Sequence, residues 1–555
     1  MAAELICFLA GALVLMAPGI VLAVRRRIGR DWLDRCTHGC CLGLALAIYL
    51  ASLISHFDLR WFYPAWIAVG IATLLVPSNR ATESPDTDAS ARRWTIAVLL
   101  LVAITRFGVA LPQPLPNGVD PPEGHLILAE KIQMTHHAVS DWQPFSQASV
   151  TYPTGSHVLI AVWSSLSRLP VATVFKDLIP LLGLLSAAQV FVFTRRISGD
   201  AAAGLYAAFA YGFWAAVGSI DFYNWGGLPN ELAILLLLSM LSVWKIEEIS
   251  MLLRLFAMAI LYAAMILSHH HTQVASAVIL LTVIVCTVLQ RRRAILLVMS
   301  VLLALLLDVF FLVPYLMKVL TLASTNALHS EQPMHMDWLL IAFGYAFLLT
   351  AAAGMILYRR RQPALFGVCI ALIVTYLLCE YVLPIWLSPP GHVRSTVLAP
   401  SHFLNDLTCF LAVFAGMAIA HVQRRLALPH AAVLPVMLLI SISQWDTWRQ
   451  TMDGPRLSSE FLQACAWIRQ HTPPNAIVLE GDWGAYLSWR RPEHFHLADS
   501  EQRQASETLH IERILTGQDP FDSEIVQIDS PPIAADATVL WQAPGGLAVV
   551  RVWPK

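Results

Sequence analysis

Apolar stretches long enough to cross a bilayer recur along most of this chain, and lysines and arginines gather in every second gap between them. A hydrocarbon core of ~30 Å needs ~20 apolar residues per helix. Fourteen such runs can be drawn, the first from Leu5 to Val24 and the last from Leu428 to Ser443. The composition agrees. Of 555 residues, 57% are hydrophobic and 13% charged, with mean hydropathy +0.62, whereas a soluble domain is roughly 45–50% apolar. The expected fold class is an α-helical polytopic membrane protein with about fourteen helices. A net charge of −1 removes any global electrostatic case for nucleic acid.

Orientation follows from the basic residues, which are retained on the cytoplasmic side. Arg25/Arg26/Arg27/Arg30, Arg80/Arg92/Arg93, Arg195/Arg196, Lys245/Arg254, Arg291/Arg292/Arg293, Arg359/Arg360/Arg361 and Arg424/Arg425 fall in alternate gaps. Both termini are then expected outside, in agreement with an even helix count. The first run carries its arginines after the apolar stretch, unlike a cleaved signal peptide. Eight of the nine cysteines lie in or beside apolar runs, so no disulfide framework is expected. Cys36, Cys40 and Cys41 open an apolar helix, where packing explains them better than a metal.

Two extracytoplasmic segments are too long to be simple connections. One, residues 112–170, holds amphipathic stretches from His125 to His136 and from His157 to Leu169, expected to lie as helices in the interface. The other is the tail, residues 444–555. There a helix (Ser458 to Gln470), a strand (Ala476 to Leu479), a helix (Glu501 to Thr516) and two strands (Ala537 to Gln542, Leu547 to Val552) read as a small α/β domain. The expected division is a membrane domain, 1–443, and this domain, 444–555.

Charge inside a membrane is costly and so marks function or a buried partner. Arg106, Lys176, Asp177, Glu231, Asp308, Glu380 and Asp406 all fall in the outer parts of their helices. PLPNGVDPPEGH places Asp120 and His125 at the membrane surface, with proline and glycine restricting the backbone. On local sequence alone, a turn or capping aspartate also explains Asp120. TYPTGSH brings Tyr152 and His157, DFYNWGGLPNE brings Asp221, Asn224, Trp225 and Glu231, and SHHHT brings His269, His270 and His271. Consecutive helical residues point about 100° apart, so the triplet cannot converge on one metal, although one member can combine with Asp120 or Asp221 around a divalent ion. SPPGHVRSTVLAPSHFLND contributes His392, Arg394, His402 and Asp406. The paired donors of Arg394 suit a phosphate.

DPPEGH, YPTGSH, DFYNWGGLPNE, SHHHT and the tail motif AWIRQHTPPNAIVL together resemble the GT-C superfamily of membrane glycosyltransferases, which includes oligosaccharyltransferase catalytic subunits, protein O-mannosyltransferases and many bacterial membrane proteins. The chain departs from the usual pattern in placing extra helices ahead of the first long loop and in lacking a clear paired acidic motif. The resemblance implies transfer of a sugar from a polyprenyl-phosphate or polyprenyl-diphosphate carrier to a glycan, lipid or protein acceptor at the extracytoplasmic face of a bacterial inner membrane. Asp120 would be the loop acid near the reacting centre, aided by Asp221 or a histidine of the triplet. Arg394 would meet the leaving phosphate, and His125, Tyr152, His157, Asn224, Trp225, Glu231 and His402 would contact substrate. A divalent metal, magnesium or manganese, is compatible with the set. Rival readings are a transporter or flippase, a polymerase or ligase of lipid-linked envelope glycans, and a non-catalytic scaffold.

The topology is checked by impermeant maleimide labelling of intact cells in a cysteine-free background. Ser149→Cys and Ser530→Cys are expected to react from outside. Arg292→Cys and Arg360→Cys are expected to react only after permeabilisation.

Overall fold

The structure, a computed structural model, describes residues 2–78, 89–113, 115–117, 124–140, 150, 152–323, 329–330, 343–382, 395–396, 401–443, 459–471, 477–479, 495–497, 525–529, 538–542, 544 and 548–551. A helix lies over each of the fourteen apolar runs. By length and composition seven can cross a membrane, or up to nine if each of two bent pairs is one span, and five more are apolar but only 10–17 residues long. The chain separates into two compact units, Met1–Pro116 with Tyr152–Met452, and Asn117–Thr151 with Asp453–Lys555.

The first unit begins with α1 (Ala2–Arg26) and α2 (Trp32–Ser55), which cross closely because their contact is made of glycines. A Cβ on Gly43 would sit 2.7 Å from Met16 Cα, and one on Gly39 would sit 2.5 Å from Ile20 Cα. Gly39 and Gly43 form a GxxxG pair, a spacing that lets membrane helices approach where lipid gives no hydrophobic drive. Asp31 caps α2, its side chain accepting from Asp34 N–H at 3.0 Å. α3 (Phe62–Leu75) and α4 (Ala89–Ala110) follow.

At the arginine-rich end of α7 (Val171–Ser198), Arg195 pairs with Asp31 at 2.7 Å and Asp34 at 2.6 Å, and Arg196 reaches Glu248 at 3.1 Å. Burial pushes the Asp31 carboxyl up, but the hydrogen bond and charge of Arg195 outweigh it and hold Asp31 below its ordinary value. The residues that set topology therefore also tie α2 to α7.

α6 (Gly155–Ser167) departs from the expected interfacial helix. It is enclosed on nearly every side, Trp163 stacking on Phe8 at 5.1 Å and donating its indole N–H to Phe8 O at 3.2 Å. The small residues of GSH at its start admit it into the bundle. α8 (Ala201–Phe209) belongs to a pair of segments bent by 107°, Ala201–Trp214 and Ala216–Tyr223, the second overlapping α9 (Asp221–Trp225). α10 (Leu228–Trp244), α11 (Met251–Ile266) and α12 (His270–Thr287) come next. α13 (Arg291–Leu307) and α14 (Val309–Ala323) meet at Asp308 with a bend of 73° between them. α15 (Tyr345–Tyr358), α16 (Pro363–Leu377), α17 (Ser401–Arg425) and α18 (His430–Ser443) complete the unit, with α7, α10 and α17 largely enclosed.

The second unit contains α5 (Leu126–Thr135) and α19 (Ser459–His471). Strands His329–Ser330 (β1) and Ser395–Thr396 (β2) belong to the first unit. In the second, β3 (Ile477–Leu479), β4 (Phe495–Leu497), β5 (Ile525–Asp529), β6 (Thr538–Gln542) and β7 (Ala548–Arg551) form a sheet in the order β4-β3-β5-β7-β6. β3 runs parallel to both neighbours, while β7 is antiparallel to β5 and β6. Ala464, Cys465 and Ile468 of α19 pack with Val549 of β7. The stretch Glu501 to Thr516 lies outside the described residues.

Gly43→Val is expected to force α1 from α2 and destabilise by about 1–3 kcal/mol, the usual range for overpacking, seen as a lower melting temperature in detergent. Gly70→Val, where a Cβ meets nothing within 4 Å, is expected to melt with the unaltered protein.

Candidate functional site

Four helices begin at one place. Tyr152 precedes α6, Asn230 sits in the first turn of α10, His269 caps α12 and His402 lies in the first turn of α17. The convergence starts with Gly155, whose N–H donates to Leu267 O at 2.7 Å. A Cβ at that position would be 2.6 Å from the same oxygen, so the glycine of YPTGSH is what lets α6 start against the end of α11.

Asn230 is the hub. Its Nδ2 donates to Thr272 Oγ1 at 2.8 Å and lies 3.3 Å from His269 Nδ1, while its Oδ1 accepts from Asn405 Nδ2 at 3.2 Å and is 3.4 Å from His402 Nδ1. Thr272 Oγ1 is also 2.9 Å from His269 Nδ1 and donates to Asp406 Oδ1 at 3.4 Å. His269 Nδ1 accepts the Thr272 N–H at 3.3 Å, which caps α12. Asn230, Thr272 and Asp406 are buried, and three separate helices are held in register by one amide side chain.

Half-buried rings lie about this floor. The Tyr152 ring is 5.0 Å from His270, 5.6 Å from His157 and 6.0 Å from His269. His402 stacks on His271 at 4.3 Å and meets the edge of Trp225 at 5.3 Å. Such rings suit a sugar face, and the imidazoles and amides suit its hydroxyls. Four helix N-termini also bring the positive ends of their dipoles to one region, which favours an anion.

The structure splits the DFYNWGGLPNE set. Trp225 joins the rings while its indole also donates to the half-buried Asp221 carboxyl, and Asp221 and the enclosed Glu231 both face Arg106. Arg106 donates to Gly212 O at 3.0 Å and Ser219 Oγ at 3.2 Å, and Asp221 Oδ1 accepts the Ser219 N–H at 3.2 Å. These bonds hold the 107° break. Gly218 there has φ +71°, a conformation that favours glycine, and Thr408 of α17 donates to Val217 O at 2.9 Å. Glu231 follows Asn230 by one residue, about 100° around the helix, and so faces away from the hub.

His125 belongs to the second unit. Asp120, His392, Arg394 and the side chain of Asn224 lie outside the described residues. Among the described residues no group of three or more His, Cys, Asp and Glu is arranged to hold a metal ion. The triplet shows why: His269 Nδ1 is engaged in the cap, and the rings of His270 and His271 diverge by 45°. Asn230, Thr272 and Asn405 were not expected to matter, because neutral polar residues do not register in a scan for charge.

No protein-family model matches the chain, and no curated protein matches it. Solved structures do. The archaeal oligosaccharyltransferase AglB from Archaeoglobus fulgidus in complex with an inhibitory peptide and a dolichol-phosphate aligns with a TM-score of 0.54 at 12% identity, covering 79% of this chain and 69% of that one. The apo form of the Archaeoglobus fulgidus oligosaccharyltransferase aligns with the same score and identity over 79% and 70%. Its complex with zinc and sulfate gives 0.53 at 13% identity over 78% and 68%. The fold of this chain is thus similar to that of the Archaeoglobus fulgidus oligosaccharyltransferase.

Proposed function

We propose that this protein is a membrane glycosyltransferase that moves a sugar from a polyprenyl-phosphate-linked donor to an acceptor hydroxyl or amide on the extracytoplasmic side of a bacterial inner membrane. The observation that carries the reading is the meeting of four helix N-termini around Asn230, ringed by Tyr152, Trp225, His270, His271 and His402. An anion at headgroup depth and a sugar beside it are what such a seat accommodates. The oligosaccharyltransferase fold supports the same reaction class, one of its structures being a complex with a dolichol-phosphate.

In this reading all fourteen apolar helices are spans, both termini and the 444–555 domain are extracytoplasmic, and the arginine-poor helix ends face the lipid-borne donor. Nucleotide sugars stay in the cytoplasm, so a transferase facing outward draws on a carrier. Asp120 takes the proton of the acceptor as its oxygen or nitrogen attacks the anomeric carbon. The bond from that carbon to the carrier phosphate breaks, and the phosphate leaves with the bonding pair, stabilised by Arg394 and the helix N-termini. Asp221, anchored on Ser219 N–H, assists at the acceptor. His125, His157, Asn224 and His402 complete the substrate contacts, and Glu231, turned toward Arg106, takes no part in them. The described side chains do not form a divalent-cation site by themselves, and no step above is routed through magnesium or manganese.

Mass spectrometry of lipid-linked glycans and envelope polymers in a deletion strain is expected to show donor accumulating and one glycosylated product missing. Asp120→Asn should restore little, with transfer down roughly 100- to 10,000-fold, the range for loss of a general base. Asn230→Leu should fold less stably and lose transfer as well. Identical glycans with and without the gene would defeat the enzymatic reading, and full rescue by Asp120→Asn would remove that residue from its role.

A further inference from the structure

The bundle holds a second polar assembly that the proposed chemistry leaves unused, lying where α2, α7 and α10 pack on one another. On α2, Asp34, His38 and Cys41 recur at intervals of four and three residues and so share one face. His38 is fully buried beside the guanidinium groups of Arg195 and Arg196, and neither ring nitrogen has a hydrogen-bond partner among the described residues.

One turn further along, Cys41 Sγ lies 3.9 Å from Gln189 Oε1 of α7 and faces Ser239 of α10. The Gln189 Nε2 and Ser239 Oγ atoms are buried and unpartnered among the described residues. Another turn along α7, the buried Ser186 and Tyr211 hydroxyls face each other, with no further partner among the described residues. Tyr211 in turn faces Glu231, whose two carboxylate oxygens are both buried and unbonded. A Cβ on Gly183 would lie 3.4 Å from Glu231 Oε1, which places the acid against α7. From Gly183 to Arg196 the helix rises ~20 Å, most of a ~30 Å hydrocarbon layer.

Six enclosed polar side chains in one line, each with a polar atom left unsatisfied among the described residues, are costly where lipid offers no hydrogen bonds. Ordered water satisfies such groups when a site is polar, has room and offers two to four partners. Cys41, Ser186, Ser239 and Gly183 keep the side chains along the seam small. We propose that the α2–α7–α10 seam is a file of internal water-binding sites linking the Glu231 carboxylate to the arginine-rich end of the bundle.

Radiolytic hydroxyl-radical footprinting of the purified full chain in lipid nanodiscs tests this, because bound water generates radicals in place. With each residue corrected for its intrinsic reactivity, His38 and Tyr211 are expected to oxidise several-fold more than the equally buried Phe347 and Phe414. Oxidation at the level of those phenylalanines overturns the proposal, whatever the variants do. Gln189→Leu combined with Ser239→Ala is expected to reduce His38 oxidation several-fold and to lower the melting temperature. In a dry seam the same pair removes unsatisfied groups, so an unchanged or higher melting temperature counts against the water file. Neither readout depends on sugar transfer.

Discussion

The absence of hydrogen-bond partners in lipid governs this molecule. At the 107° break and at the starts of α6 and α12, a polar group closes the gap that the irregular backbone leaves. The break between Ala201–Trp214 and Ala216–Tyr223 frees carbonyls at Gly212 and Val217, and these are taken by Arg106 and Thr408. The abrupt start of α6 is met by Leu267 O, and that of α12 by the His269 side chain. The candidate site thus lies beside irregular backbone made tolerable by polar groups.

The helices were legible because hydrophobicity of bilayer length is a strong and local signal. A helix was found over every run, even the short one at Leu59–Leu75. The bends were not legible. Nothing in LLALLLDVFFL fixes an angle of 73°, and the 107° break depends on Arg106 and Thr408, which lie roughly a hundred or more residues from it on either side. The enclosure of α6 was missed for a similar reason. Its pattern is amphipathic, but Ser156, His157 and Ser164 find protein around them instead of headgroups.

At the site, Tyr152, Trp225, His157, His269, His270, His271 and His402 come from motifs that each adjoin the start of a helix on the arginine-poor side. What remained hidden was the division between Asn230 and Glu231. The sequence groups Glu231 with Asp221, Asn224 and Trp225 and passes over Asn230, yet a single residue step along α10 turns Asn230 toward the histidines and Glu231 toward Arg106. Charge drew attention to Glu231, while the neutral Asn230 makes the bonds that join α10, α12 and α17.

That adjacency has a mechanical consequence. The first turn of α10 carries both assemblies, with Pro229 fixing its start and Gly227 preceding it. Asn230 cannot move without disturbing the hub, and Glu231 cannot move without disturbing its place beside Arg106 and α7. The arginine in turn holds the break that positions Asp221. A shift of this one turn is therefore felt at the ring-lined seat, at the helix break and at the end of the polar seam together. A ligand that tightened the seat by drawing on the Asn230 network would bear on Glu231 through less than one turn of rigid helix, a shorter and stiffer link than any loop could provide.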